Sequence, residues 1–183
     1  IGQLMDDPYA LNPKGQRLGP DGPAQMGLRY DKKIGSWTAP FVMAAVNERV
    51  VRRSNALMGY PYGRDFRYRE ASRFRGGLSG ALRAATMSAG LGLFGGAILL
   101  KPTRKLLERF ILPKPGEGPS EKTMQEGSFI YRLLGRGENG AGERFEVGVQ
   151  VESGRDPGYG STSIMLSETA LALAFDPPGD SLK

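Results

Sequence analysis

The sequence predicts an α+β fold, with an antiparallel or mixed sheet packed with helices and a long N-terminal arm. Three observations carry this reading. Residues 128–152 alternate apolar and polar side chains at the period of a half-buried strand. Stretches near residues 39–53, 78–111 and 161–175 read as helices instead. Residues 1–35 are rich in Pro, Gly and Asp and show no helical period, which marks a loop-dominated segment.

Taken in order, the arm covers residues 1–36, with a short strand expected near Gly27 to Tyr30. Trp37, the single Trp, is expected to anchor the arm beside a helix starting near Thr38 or Ala39. Pro40 is tolerated in a first helical turn, and Val42, Val46 and Val50 recur every four positions. Arg49, Arg52 and Arg53 then fall on one helix face, where like charges repel unless solvent or something anionic completes them. Tyr60, Tyr62, Phe66 and Tyr68 follow at once and suit either a cleft lining or a packed corner. The plainer alternative is a solvated basic helix end above a tyrosine-rich turn.

In the next helix no charge lies between Arg83 and Lys101, and Gly76, Gly80, Ala84, Ser88, Gly92 and Gly96 recur every fourth residue. Such a small-residue column permits close backbone approach. Three readings stay open for Ser79 to Leu100: helix packing or a homodimer interface, peripheral contact with a membrane or acyl lipid, and a short bilayer span. A second amphipathic piece, TRKLLERFIL, ends at Pro113.

Pro113, Pro115 and Pro119 then fence a stiff loop, and Ser120 is placed to cap one or two helical turns. SFIYRLLG and ERFEVGVQVES flank RGENGAG as a hairpin, with Phe145, Val147, Val149 and Val151 on one face. RDPGYG makes a further turn. STSIMLSETALALAF reads as a helix capped by Ser161 or Thr162, burying Ile164, Leu171 and Ala174, before a tail at residues 177–183.

Composition narrows the chemistry. With 183 residues the chain can bury a sizeable core, while 27 Gly and 13 Pro forecast many turns. No Cys and no His are present, which removes thiol nucleophiles, imidazole bases, the usual zinc sites and any disulfide framework. Acid–base work on this chain would fall to Tyr, Lys, Asp or Glu, or to a cofactor. The net charge of +6 suits an anionic ligand or surface, but the basic residues form no nucleic-acid module. GRGENG at Gly135 to Gly140 matches a dinucleotide fingerprint in letters only, because it opens a strand and not a helix. No Walker loop, paired metal carboxylates or nucleophile elbow is visible, and no signal peptide is expected.

The passage TAPFVMAAVNERVVRRSNALMGYPYGRDFRY resembles saccharopine dehydrogenase-like oxidoreductases of the trans-acting enoyl reductase type. DPYALNP and GPDGP in the arm, LPKPGEGPSE, and RDPGYGSTSIMLSETALALA resemble the same family in the same order. The resemblance implies an NAD(P)-dependent oxidoreductase with a Rossmann domain and a second α+β domain for substrate contacts and subunit packing. The family's glycine-rich nucleotide loop has no counterpart here. Residues 37–176 therefore resemble the substrate-binding and dimerisation domain alone, with NAD(P) bound mainly outside this chain, and by itself it is expected to be inactive as a reductase. The implied setting is cytoplasmic, with contact at a membrane periphery as an option.

On that resemblance, Arg52, Arg53, Asn55, Tyr60 and Tyr62 become the first substrate-binding candidates, offering cations and phenols to a carboxylate, thioester or phosphate. Lys114 and Glu117 in the proline-fenced loop, and Asp156 and Tyr159 in the later turn, come second. For Asp156 and Tyr159 the alternative is that they cap and pack the last helix. The resemblance transfers no catalytic residue, and the rival reading of the whole chain is a non-catalytic membrane-surface or interaction module.

Overall fold

The computed structural model describes residues 7–17, 19–112 and 116–175. The chain divides into two compact units, Ile1–Leu112 and Pro113–Lys183. That division falls inside residues 37–176, the stretch expected to form one domain, and the expected tail lies outside the described residues. The described residues are mixed α and β with antiparallel sheets, as the sequence predicts.

In the first unit, β1 (Arg29–Asp31), β2 (Ser36–Ala39) and β3 (Ser72–Phe74) form an antiparallel sheet in that order. The short strand of the arm lies close to its expected place. The helix expected at Thr38 or Ala39 does not begin there; those residues belong to β2, and α1 runs from Ala44 to Leu57. Strands on both sides satisfy the β2 backbone, and Pro40, which has no N–H to give, stands just past its end. Trp37 does meet the arm, pairing with Tyr30 across the sheet with ring centroids 5.0 Å apart.

The helix α1 is packed opposite to its apolar pattern. Its buried residues are Ala44, Glu48, Arg49, Arg52, Asn55 and Ala56, whereas Val42, Val46 and Val50 are 66%, 52% and 48% exposed. Among the described residues the core of this unit is accordingly thin: Tyr9, Ala10, Ala39, Ala44, Ala56 and Ala84 are the buried hydrophobic residues, and Glu48 and Ser36 are the largest fully buried side chains.

Two further helices follow, α2 (Leu78–Leu99) and α3 (Lys101–Phe110). The small-residue column is used only at its start. Gly80 and Ala84 are buried, and a Cβ on Gly80 would sit 1.7 Å from the Arg75 carbonyl oxygen. Farther along, a Cβ on Gly92 or Gly96 would meet nothing within 4 Å. By length and composition α2 could cross a bilayer, yet only 6% of its most apolar window is buried.

The second unit contains α4 (Glu121–Glu126), β4 (Phe129–Glu138), β5 (Arg144–Ser153) and α5 (Gly160–Phe175). Ser120 caps α4 as expected, accepting the Thr123 N–H at 3.2 Å. The hairpin also forms as expected, with Leu133 opposite Val149 and Tyr131 opposite Val151. Its turn is closed by Asn139, whose Oδ1 accepts the N–H groups of Ala141 and Glu143 at 3.0 and 2.9 Å. In α5 the expected burial of Ile164, Leu171 and Ala174 is not found: all are exposed, because none of the described residues of the unit covers that face.

Candidate functional site

Residues of the arm, α1 and the loop after it converge on Arg52. Its Nε donates to Asp21 Oδ2 at 2.7 Å, and its Nη1 to the Pro8 carbonyl at 3.1 Å. Nη2 donates to Glu48 Oε2 at 3.0 Å and to the Tyr68 carbonyl at 2.9 Å, while the Tyr9 ring lies 5.5 Å from the guanidinium carbon. The two carboxylates are themselves held: Asp21 Oδ2 accepts the Tyr68 N–H at 3.1 Å, and Glu48 Oε1 accepts the Glu70 N–H at 3.0 Å. Burying three charges is tolerable because they pair and because a backbone N–H bonds one oxygen of each carboxylate, although Asp21 Oδ1 is buried with no hydrogen-bond partner among the described residues. Arg49 joins this face, its Nε donating to the Asp7 carbonyl at 3.1 Å. The anionic completion that the sequence asked of these cations thus comes, for Arg52, from Asp21 and Glu48.

The loop after α1 carries the accessible groups. Asn55 is buried and clamps the loop, its Nδ2 donating to the Gly63 carbonyl at 3.0 Å and its Oδ1 accepting the Tyr62 N–H at 3.2 Å. Tyr60 has a left-handed φ of 66°, rare for a bulky residue. Its N–H donates to the Asn55 carbonyl at 2.7 Å, its hydroxyl donates to Gln16 Oε1 at 3.1 Å, and Arg64 stacks 4.2 Å over its ring. Tyr62 is exposed, with its ring centroid 5.2 Å from that of Phe66. Arg53 is exposed and donates to the Leu11 carbonyl. All five first candidates therefore gather around one helix end, but Arg52 and Asn55 spend their polar atoms on the fold, whereas Arg53, Tyr60 and Tyr62 stand at its rim.

The secondary candidates belong to the second unit, and Lys114 lies outside the described residues. Glu117 is exposed. Asp156 caps α5, with Oδ1 accepting the Gly158 N–H at 2.8 Å and Oδ2 accepting those of Tyr159 and Gly160 at 2.9 and 2.7 Å. The Gly160 and then the Tyr159 N–H hold its carboxyl below its ordinary value. Tyr159 leaves its ring largely exposed.

A feature missed in the sequence is a cleft of about 420 Å³ lined by Arg73, Phe74, Arg75, Ser79, Gly80 and Arg83. A signal was available in the alternation of Arg73 and Arg75 around Phe74, although only Arg73 lies within β3. Arg73 Nε donates to Ser36 Oγ at 2.9 Å. GRGENG falls in β4 and the hairpin turn, so it opens no helix and does not fit a dinucleotide pyrophosphate. Among the described residues no cluster of three or more Asp and Glu could hold a metal ion.

The chain is similar along nearly its whole length to several mycobacterial proteins. A Mycobacterium tuberculosis protein provisionally named a trans-acting enoyl reductase is 41% identical over 94% of this chain and 42% of its own length. The trans-acting enoyl reductases of Mycobacterium bovis and Mycobacterium ulcerans are 36% and 33% identical, each over 95% of this chain and 42% of theirs. The chain thus spans less than half the length of these relatives. No protein-family model matches it, and no solved structure does.

Proposed function

We propose that this chain is the substrate-binding and dimerisation part of an NAD(P)-dependent enoyl reductase of the saccharopine dehydrogenase-like kind, acting on a lipid-like acyl substrate. The observation that carries the reading is the identity of 36–41% to trans-acting enoyl reductases, spread over 94–95% of the chain. A non-catalytic interaction module would not require such likeness along its whole length. Reduction of an enoyl group needs a hydride donor, and a nicotinamide cofactor supplies that chemistry when bound. The described residues offer it no phosphate loop, so in this reading a nucleotide-binding part outside the chain holds it.

This chain's own contribution is binding and orientation. Arg53 offers a cation, Tyr60 a ring clamped beneath Arg64, and Tyr62 an exposed phenol at the same helix end. Arg52 and Asn55 act one step back, as positioning residues that fix the loop. Glu117 and Tyr159, on the second unit, are retained with Lys114 as substrate-binding candidates on the resemblance alone.

Two measurements test this. NADPH oxidation by a protein of the relatives' length, supplied with an enoyl thioester, should be detectable, and Arg53→Ala with Tyr62→Ala should raise KM more than they lower kcat. Titration of the 183-residue chain with NADPH should show no micromolar binding. A reductase indifferent to both substitutions overturns the site, and tight NADPH binding by the chain alone overturns the division of labour.

A further inference from the structure

We propose that α2 and α3 form a docking element for an anionic lipid surface. In this arrangement α3 lies along the interface with Leu106, Phe110 and Ile111 in the acyl boundary and Lys101, Arg104, Lys105 and Arg109 against the headgroup phosphates.

At 100° per residue, Leu106, Leu107, Phe110 and Ile111 fall in one arc around the α3 axis, and Lys101, Arg104, Lys105, Glu108 and Arg109 fall in the other. No residue of α3 is buried, and Leu106, Phe110 and Ile111 are 60%, 68% and 69% exposed. The polar arc is cationic: its one carboxylate, Glu108, already pairs with Arg104 at 3.4 Å. A short helix with a strongly basic face opposite large apolar side chains has the composition of an interfacial helix.

The preceding helix selects the occupant. Leu93, Phe94, Ile98 and Leu99 are exposed and point in different directions around α2, so it is apolar on every side beyond its packed foot. A protein partner covers one side of a helix, whereas a lipid medium surrounds it. A second copy seated on the apolar arc would leave the basic arc of α3 facing water with no anion to meet, whereas an anionic lipid surface answers both arcs. The uncharged run between Arg83 and Lys101 is about 25 Å long, short of a hydrocarbon core of about 30 Å. Entry from one face follows, which leaves the cations of α3 to meet the headgroups of that face.

The inference does not rest on the reductase reading. Its test is flotation of the full chain with vesicles of phosphatidylcholine alone and of phosphatidylcholine with phosphatidylglycerol, at low and high salt. Recovery is expected with the anionic vesicles, weakened by salt. Replacing Lys101, Lys105 and Arg109 by Glu, which keeps the Arg104–Glu108 pair, should lower partition by at least about a hundredfold, from about fivefold for each cation removed near an anionic surface before the added carboxylates are counted. Phe110→Asp with Ile111→Asp should abolish recovery while circular dichroism shows the helices retained. Equal recovery with both vesicle types, undiminished recovery of the charge-reversed variant, or a chain that stays unfloated, whether monomeric or dimeric by light scattering, overturns the proposal.

Discussion

Arg52 is held by two buried carboxylates and two carbonyls, so its removal leaves Asp21 and Glu48 unpaired and out of reach of water. Arg52→Ala should therefore cost about 3–5 kcal/mol, the range for breaking a buried ion pair from one side. The measurement is a fall in the urea midpoint with an unchanged slope. Arg52→Lys should rescue little, because one ammonium cannot replace a fork that bonds in four directions. Asp156 makes the opposite kind of prediction, since it is half-buried and accepts hydrogen bonds from backbone N–H groups rather than from a buried cation. Its folded pKa lies below its ordinary value of 3.8, so its support of α5 is full above that value and is lost as the pH falls through the folded pKa. Asp156→Asn should flatten the acid dependence of the helix signal in circular dichroism. At this scale the sequence asked for an anionic completion of the arginine face without naming it: Glu48, four before Arg52, was there to be read, and Asp21 was not. A partner 31 positions away in an irregular arm leaves no periodicity to read.

Among the elements, those whose pattern repeats within a few residues were legible. The β4–β5 hairpin, its Asn139 turn and the Ser120 cap follow from local chemistry alone. Which face of a helix turns inward was not legible for α1: the valine spacing marks a helix, but the arm offers carboxylates and carbonyls, and these take the arginine face instead. β2 was misread for a related reason, because strands on either side of a four-residue segment outweigh its own preferences. The glycine column of α2 was half legible, and the halves predict opposite outcomes. Gly80→Ala must push the helix foot off the Arg75 carbonyl and should cost about 1–3 kcal/mol. Gly92→Ala meets open space and should gain about 0.5–1 kcal/mol from helix preference. Thermal midpoints of the two variants measured side by side decide whether the column packs only at its start.

For the molecule as a whole, the hairpin poses the sharpest question. Phe129, Tyr131, Leu133, Phe145, Val147, Val149 and Val151 share one face by register. The opposite face carries the Arg136–Glu146 pair at 2.5 Å and the Arg132–Gln150 hydrogen bond at 2.9 Å. An apolar face of this extent beside a polar one is the pattern of a sheet meant to be covered. If the chain works within a protein of its relatives' length, as proposed, that face is covered there. Val149 separates the cases, being 50% exposed in this chain. Val149→Lys should shift the thermal midpoint of the 183-residue chain little and reduce its binding of an apolar dye, since the lysine meets water. In the longer protein the same lysine would be buried without a partner, at a cost of several kcal/mol, and the midpoint should drop sharply. Equal, small shifts at both lengths would mean that the face stays open in the longer protein too, and the proposed packing role of this unit would fall with it.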